Sequence, residues 1–218
     1  MKTKFILATY FMLAIIFIYP AIISAQEIKP IKLLPAQTEG GKPLMQALKE
    51  RKSSREFSSN ELPLQVISDM LWAACGINRL DSGGRTAPSA KNMQEINIYV
   101  VRADGVYLFD PKINMLLPVL AGDIRGLTGK QSFVKEAPVN LVYVADLAKM
   151  GGLSNDSIDF YSATDTGFIS ENVYLYCASL GLATVVRNWI DKPALAKAMQ
   201  LRPDQKVILA QTVGYPKK

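Results

Sequence analysis

The chain has no histidine and, over 218 residues, two cysteines. The first absence excludes a Ser-His-Asp triad, a Cys-His pair and every zinc site that uses imidazole, and two isolated thiols cannot supply an all-cysteine zinc site. No Gly-x-Gly-x-x-Gly run is present, which argues against a conventional nicotinamide dehydrogenase. There is no internal repeat, and so no solenoid. The net charge of +6 is not drawn into an Arg/Lys stripe with interleaved aromatics. That surplus suits an anionic cofactor or substrate and argues against nucleic acid as a partner. Cys75 and Cys177 each lie inside an apolar helical pattern, beside Trp72-Ala73-Ala74 and Tyr174-Leu175-Tyr176. Both read as small core hydrophobes; a single disulfide is the alternative, for which a chain of this length has no need.

At the N-terminus, Lys2 and Lys4 precede an apolar run from Phe5 to Ile23 that closes on Ser24-Ala25. A basic start, an apolar middle and a small-residue end describe a secretory signal peptide, cut after Ala25. An uncleaved membrane anchor is the alternative, since the run is long enough to span a bilayer. The expectation is an exported, periplasmic protein that touches membrane only through this segment if it stays attached. Residues 1–25 are then signal, 26–42 a polar, proline-containing leader or tether, and 43–218 one domain with a sizeable core.

Periodicity places a helix from Pro43, with Leu44, Ala47 and Leu48 as its apolar stripe. A second helix runs Leu64–Cys75 with Ile67, Met70, Leu71 and Ala74 on one face and Gly76 as its stop. Asn78–Gly84 reads as loop. Ile96–Val101 and Val106–Phe109 read as strands about an Asp104-Gly105 turn, followed by an extended piece at Met115–Val119 in which Pro118 favours an edge or a bulge. Asp123 is placed to cap a short helix, Gln131–Glu136 forms another, and Pro138 precedes a strand over Val139–Ala145. Gly151–Ser162 reads as a loop near a substrate opening. The longest helix then runs Asp165–Leu180 and stops at Gly181. Its Phe168, Tyr174 and Leu175 add apolar surface outside the Ile169, Val173, Tyr176 and Cys177 stripe, more than one half-exposed face needs. Lys192-Pro193 opens a small helix and Val207–Val213 forms a buried strand. The mixture makes an α+β layer fold.

Two polar stretches carry the chemistry. Arg51-Lys52-Ser53-Ser54-Arg55 follows the first helix and gathers guanidinium forks, a mobile ammonium and short hydroxyl donors, the set that suits a phosphate monoester. A solvated charge run is the bland alternative, with Arg55 ion-paired to Glu50 or Glu56. Pro88-Ser89-Ala90-Lys91-Asn92-Met93-Gln94 lies in a loop of small residues before a strand. Its neutral amides both donate and accept, as the polar edge of a ring system requires; loop capping is the alternative for Ser89 and Asn92.

The run Arg51-Lys52-Ser53-Ser54-Arg55-Glu56-Phe57 resembles the Arg-Arg-Ser-x-Arg-x-Phe opening of the FMN-dependent nitroreductases, and Pro88 to Gln94 resembles their Pro-Ser-x-x-Asn-x-Gln run. The resemblance extends from Pro43 to Pro216. It implies a nitroreductase-like α+β fold with a central antiparallel or mixed sheet flanked by helices, an intertwined homodimer, and FMN as cofactor. Arg51, Lys52, Ser53 and Arg55 would hold the phosphate; Pro88, Ser89, Asn92 and Gln94 would meet the ring edge or the ribityl hydroxyls. Thr184, Val185 and Val186 would turn backbone N–H groups toward flavin N5. Arg187 would favour anionic reduced flavin or steer a substrate phosphate, although many relatives carry Gly or Glu there. Lys217, with Lys218, would complete the phosphate clamp or else form a solvated tail.

The implied reaction is ping-pong. NAD(P)H or another reductant passes hydride to N5, leaves, and a small acceptor such as a nitroaromatic or quinone is reduced, with no catalytic side chain or metal required. The alternatives are a non-catalytic exported flavin-binding protein and a cofactor-free interaction module.

Overall fold

The computed structural model describes residues 27–217; the expected signal segment, Gln26 and Lys218 lie outside that range. In chain order the elements are β1 (Ile31–Lys32), α1 (Leu44–Glu50), α2 (Leu64–Cys75), β2 (Ile77–Arg79), β3 (Gly84–Arg85), β4 (Ile96–Val101), β5 (Gly105–Asp110), β6 (Met115–Ala121), β7 (Val139–Asp146), α3 (Asn155–Leu180), β8 (Ala183–Arg187), α4 (Lys192–Ala198) and β9 (Gln205–Gly214). Seven strands form one sheet in the order β1-β6-β5-β4-β7-β9-β8, every neighbouring pair antiparallel. The ribbon β2–β3 stands apart, in the span expected to be loop.

The central strands are buried on both faces, and their period of two divides the core. Ile98, Val100, Leu141 and Tyr143 face α2 and α3, where Met70, Leu71, Val173 and Cys177 pack against them. Tyr99, Val101, Val142 and Val144 face the other way, onto Leu195 and Met199 at α4. Both cysteines are free and buried, as core residues. Pro118 falls beside a register shift between Val106 and Tyr107, past the short reach of β1, so the edge and the bulge expected of it coincide. Residues of the 26–42 leader lie along the domain. Ile31 and Lys32 pair with Leu116 and Met115, Leu33 is buried, and the Leu34 and Gln37 N–H groups donate to Ser68 and Asp69 of α2.

Two expectations about helices need correction. The span Gly151–Ser162 is not a loop to its end, because α3 begins at Asn155 and takes in the whole Asp165–Leu180 segment as its C-terminal part. Ser154 caps it by accepting from Ser157 N–H, and Ser162, Asp165 and Thr166 are buried, so this half of the helix packs with polar residues that carry no apolar period. On α1 the Leu44, Ala47, Leu48 stripe is not the buried face. Only Ala47 is covered; Leu44 and Leu48 are 61% and 45% exposed.

Candidate functional site

The basic stretch that ends α1 runs against the outer edge of β8. Ser54 N–H donates to Thr184 O at 2.9 Å, and Tyr174 Oη, on α3, accepts Val186 N–H at 2.9 Å and lies 2.8 Å from Ser53 Oγ. A tyrosine hydroxyl holding three segments in place was not visible in the sequence, where Tyr174 reads as apolar helix surface. Only the need of a buried phenol for partners could have hinted at it. The Arg51 guanidinium stands 5.2 Å over the Tyr174 ring, with Glu171 Oε1 3.9 Å from its Nε.

The chain terminus returns to the same place. Pro216 bridges to Phe57, Ser58 N–H donates to Tyr215 O, and Lys217 N–H donates to Glu56 O at 3.3 Å. Lys217 thereby lines a cleft of 510 Å³ together with Lys52, Ser54, Tyr174, Leu182, Ala183 and Thr184. Of the cations here, Lys42 is paired with Glu50 at 2.6 Å, and that contact holds the Glu50 carboxyl below its usual range. Lys52, Arg55 and Lys217 make no ion pair among the described residues, and the alternative pairing of Arg55 with Glu50 or Glu56 is not formed. A larger cleft of 1030 Å³ shares Gly181, Pro216 and Lys217 with this one, but Arg102 and Arg125 on its wall are paired with Asp104 and Asp123. Among the described residues the unpaired Lys217 stands between the two clefts, with the unpaired Lys135 on the larger one and the unpaired Lys52 on the smaller one beside Tyr174 and Thr184.

The second motif sits elsewhere. Ser89 Oγ accepts Gln94 N–H at 2.8 Å, so Ser89 is a loop cap, the alternative weighed for it. Gln94 is engaged, accepting from Arg85 Nε and donating to Gly83 O and Asn92 Oδ1, which leaves its amide no free N–H for a ring edge. Lys91, Asn92 and Gln94 hold φ of 51°, 53° and 49°, left-handed backbone without glycine, and such conformations persist only when neighbours enforce them. One enforcer is Asp165 on α3, whose Oδ2 accepts Ala90 N–H at 2.9 Å. Pro88, Ser89 and Gln94 line a narrow cavity with Cys75, Arg85 and Asp165. Asn92 is exposed, and its amide N–H groups have no partner among the described residues.

Two expectations for the 184–187 segment are corrected. Val186 N–H is taken by Tyr174, and Val185 pairs with Thr212 in the β8–β9 register, so two of the three backbone groups are engaged and the segment is not a free row of donors; Thr184 is held through its side chain, Oγ1 donating to Thr212 O. Arg187 is turned into the protein interior, 5% exposed, where the expectation had it free to meet flavin or substrate. It donates to Thr128 O, to Asn140 Oδ1 at 2.6 Å and to Thr212 Oγ1 at 2.7 Å, with the Phe133 ring 5.9 Å away. With no carboxylate among these partners, burial pushes its pKa down to about 10.

A model described as the nitroreductase family matches residues 48–215. A Methanocaldococcus jannaschii protein assigned as a nitroreductase is 33% identical over 152 residues, 65% of this chain and 76% of that one. The crystal structure of a Ralstonia eutropha protein assigned as a nitroreductase superposes with a TM-score of 0.83 at 43% identity, covering 87% of this chain and 90% of the other. The NADPH:FMN oxidoreductase of Vibrio harveyi, solved with NAD+, is similar in fold, with a TM-score of 0.58, 17% identity and coverage of 80% and 69%.

Proposed function

Because this chain belongs to the nitroreductase family, it is an FMN-dependent oxidoreductase, and we propose that it passes electrons from NAD(P)H or another reductant to a small organic acceptor such as a nitroaromatic or quinone. The carrying observation is the convergence of Ser54, Tyr174, Thr184 and the unpaired Lys52 and Lys217 on one cleft, with Ser53 held against Tyr174 at its side. This donor set fits a flavin mononucleotide. Arg51, Lys52, Arg55 and Lys217 would meet the phosphate dianion and Ser53 would add a short hydrogen bond. FMN, when bound, supplies the hydride chemistry; the chain has to bind it, orient it and set its electrostatics. Tyr174 orients, because its one hydroxyl fixes Ser53 relative to Val186. The Vibrio harveyi neighbour was solved with NAD+, the oxidised form of the nicotinamide reductant proposed here. The test is direct: purified protein should be yellow, NADH or NADPH should bleach it, and a quinone should restore the colour. A colourless protein that takes up no FMN sinks the reading, and a yellow one that neither bleaches nor recovers is a flavin-binding protein without turnover.

The site is proposed to be completed by a second copy of the chain. Asp165 and Tyr174 anchor the two motifs on α3 about 13 Å apart along its axis and about half a turn around it, so the two sets of residues do not share one side of the helix. The outward face of the same helix carries Phe160 and Phe168, 66% and 45% exposed, with open space at Gly167 for a close neighbour, and α1 exposes Leu44 and Met45. An intertwined homodimer would cover this surface, as an obligate interface does. Sedimentation at low micromolar concentration should give a dimer; a clean monomer of flavin-loaded protein contradicts it.

The proposal for location is export. Residues 1–25 have the basic start, apolar run and small-residue end of a signal segment, and the protein would work in the periplasm or stay membrane-anchored if uncut. Mass spectrometry of the extracytoplasmic fraction should find a chain beginning at Gln26, and recovery only as full-length cytoplasmic protein refutes it.

A further inference from the structure

We propose that Glu95 and Asp165 share a single proton, and that this proton staples the 85–94 loop to α3 in the position from which Asn92 serves the cofactor. The last clause rests on the FMN reading; the staple itself does not. Glu95 is the residue before β4 and is fully buried, with neither carboxyl oxygen meeting a hydrogen-bond donor. Facing it is Asp165, 2% exposed, whose Oδ2 is occupied by Ala90 N–H. Two ionised carboxylates against each other in a dry site carry both a desolvation penalty and like-charge repulsion, and one proton between them removes the conflict. Glu95 O–H then donates to Asp165, and Asp165 keeps its other oxygen for Ala90.

Both ends of this arrangement belong to one short segment, Ala90 and Glu95, so a single α3 carboxylate grips the loop on either side of Lys91, Asn92 and Gln94. Those three hold left-handed backbone that relaxes unless held. The other charged groups here come from the neighbouring elements. Lys149, on the turn Leu147–Met150, donates to Gln94 O at 2.9 Å and to Asn97 Oδ1, and its charge favours the ionised Glu95. Asp146 at the end of β7 and Arg85 on β3 act on Lys149 in turn, and Arg85 is itself bound to Gln94 and Cys75 O. Burial outweighs both the Glu95 backbone N–H and Lys149, which favour the ionised form, and raises the Glu95 carboxyl from 4.5 to about 7, with Asp165 pushing the same way. A carboxyl raised on folding gives a staple that is whole below 4.5 and is lost as pH rises through about 7.

Hydrogen–deuterium exchange of residues 85–95 in the full chain as purified, corrected for the intrinsic base-catalysed rate, tests this. Protection should fall about tenfold between about pH 6 and pH 8, the change that one proton with a midpoint near 7 produces. Glu95→Gln, whose amide donates to Asp165 at every pH, should flatten the profile. Asp165→Asn should move the fall to lower pH, since its amide oxygen still accepts from Ala90 while its N–H₂ donates to ionised Glu95 and the like charge is gone. A flat wild-type profile, the wild-type slope in folded Glu95→Gln, or the wild-type midpoint in folded Asp165→Asn overturns the staple. FMN affinity should follow the exchange profile. Affinity that stays level across the same range while exchange changes overturns the link to the cofactor. Failure to bind FMN at all falls on the functional reading, and the exchange profile decides the staple by itself.

Discussion

Arg187→Met should lower the stability of the folded chain by about 3 kcal/mol and its Tm by about 6 to 12 °C, without a direct effect on the site chemistry. Two terms compete. The guanidinium is buried without a carboxylate, and removing it relieves the desolvation that holds its pKa near 10. Against that, its donors serve Thr128 O, Asn140 Oδ1 and Thr212 Oγ1, which come from three separate stretches and lie in the interior. Each acceptor left without a donor costs about 1 to 3 kcal/mol, and together they exceed the relief. Thr212 Oγ1 can still donate to Asn140 Oδ1 at 2.6 Å, which keeps the loss toward the low end of the sum. Arg187→Lys should be destabilised as well, since one ammonium cannot reproduce the planar fork. Chemical denaturation of both variants measures this, and a methionine variant as stable as the parent would show that desolvation outweighs the hydrogen bonds.

Arg187 also marks where the sequence stops being informative. Its neighbours Val186 and Asn188 say nothing of Thr128, Asn140 or Thr212, so a residue beside a flavin-like motif reads as a site residue when tertiary structure makes it an internal clamp. The strands β4 and β7 were legible because runs of Val, Ile and Tyr are bounded by Asp-Gly or Pro, and Gly181 was legible as a helix stop, where φ of 71° requires a residue without Cβ. The first turns of α3 were not. Ser154 is followed at the third helical position by Ser157 in place of Glu or Gln, so no capping box announces the start. The candidate site was legible as two motifs. Their separation on opposite sides of α3 was not, because spacing along a chain does not say which side of a helix each motif meets.

Arg51→Ala should weaken FMN binding by about tenfold to a hundredfold while the fold survives. The estimate follows from a charge-assisted bond to phosphate, worth about 1.5 to 3 kcal/mol, against about 0.5 to 1.5 for the neutral bond of Ser53, whose alanine variant should lose about threefold to tenfold. The structure adds a second route by which Arg51 could act. Its guanidinium covers the Tyr174 ring at 5.2 Å, and Tyr174 in turn orders Ser53 and Val186, so truncation could loosen the whole edge of β8. Riboflavin separates the two routes. Lacking the phosphate, it should bind the parent protein weakly, and Arg51→Ala should leave that binding unchanged if the side chain acts on phosphate, whereas a loosened edge would weaken both ligands alike. Glu171, 3.9 Å from Arg51, competes for the same charge, so Glu171→Gln should tighten FMN and leave riboflavin unaffected. Flavin fluorescence quenching, with circular dichroism to establish folding, reads all of these. Unchanged FMN affinity in folded Arg51→Ala would return the stretch from Arg51 to Arg55 to a solvated surface run.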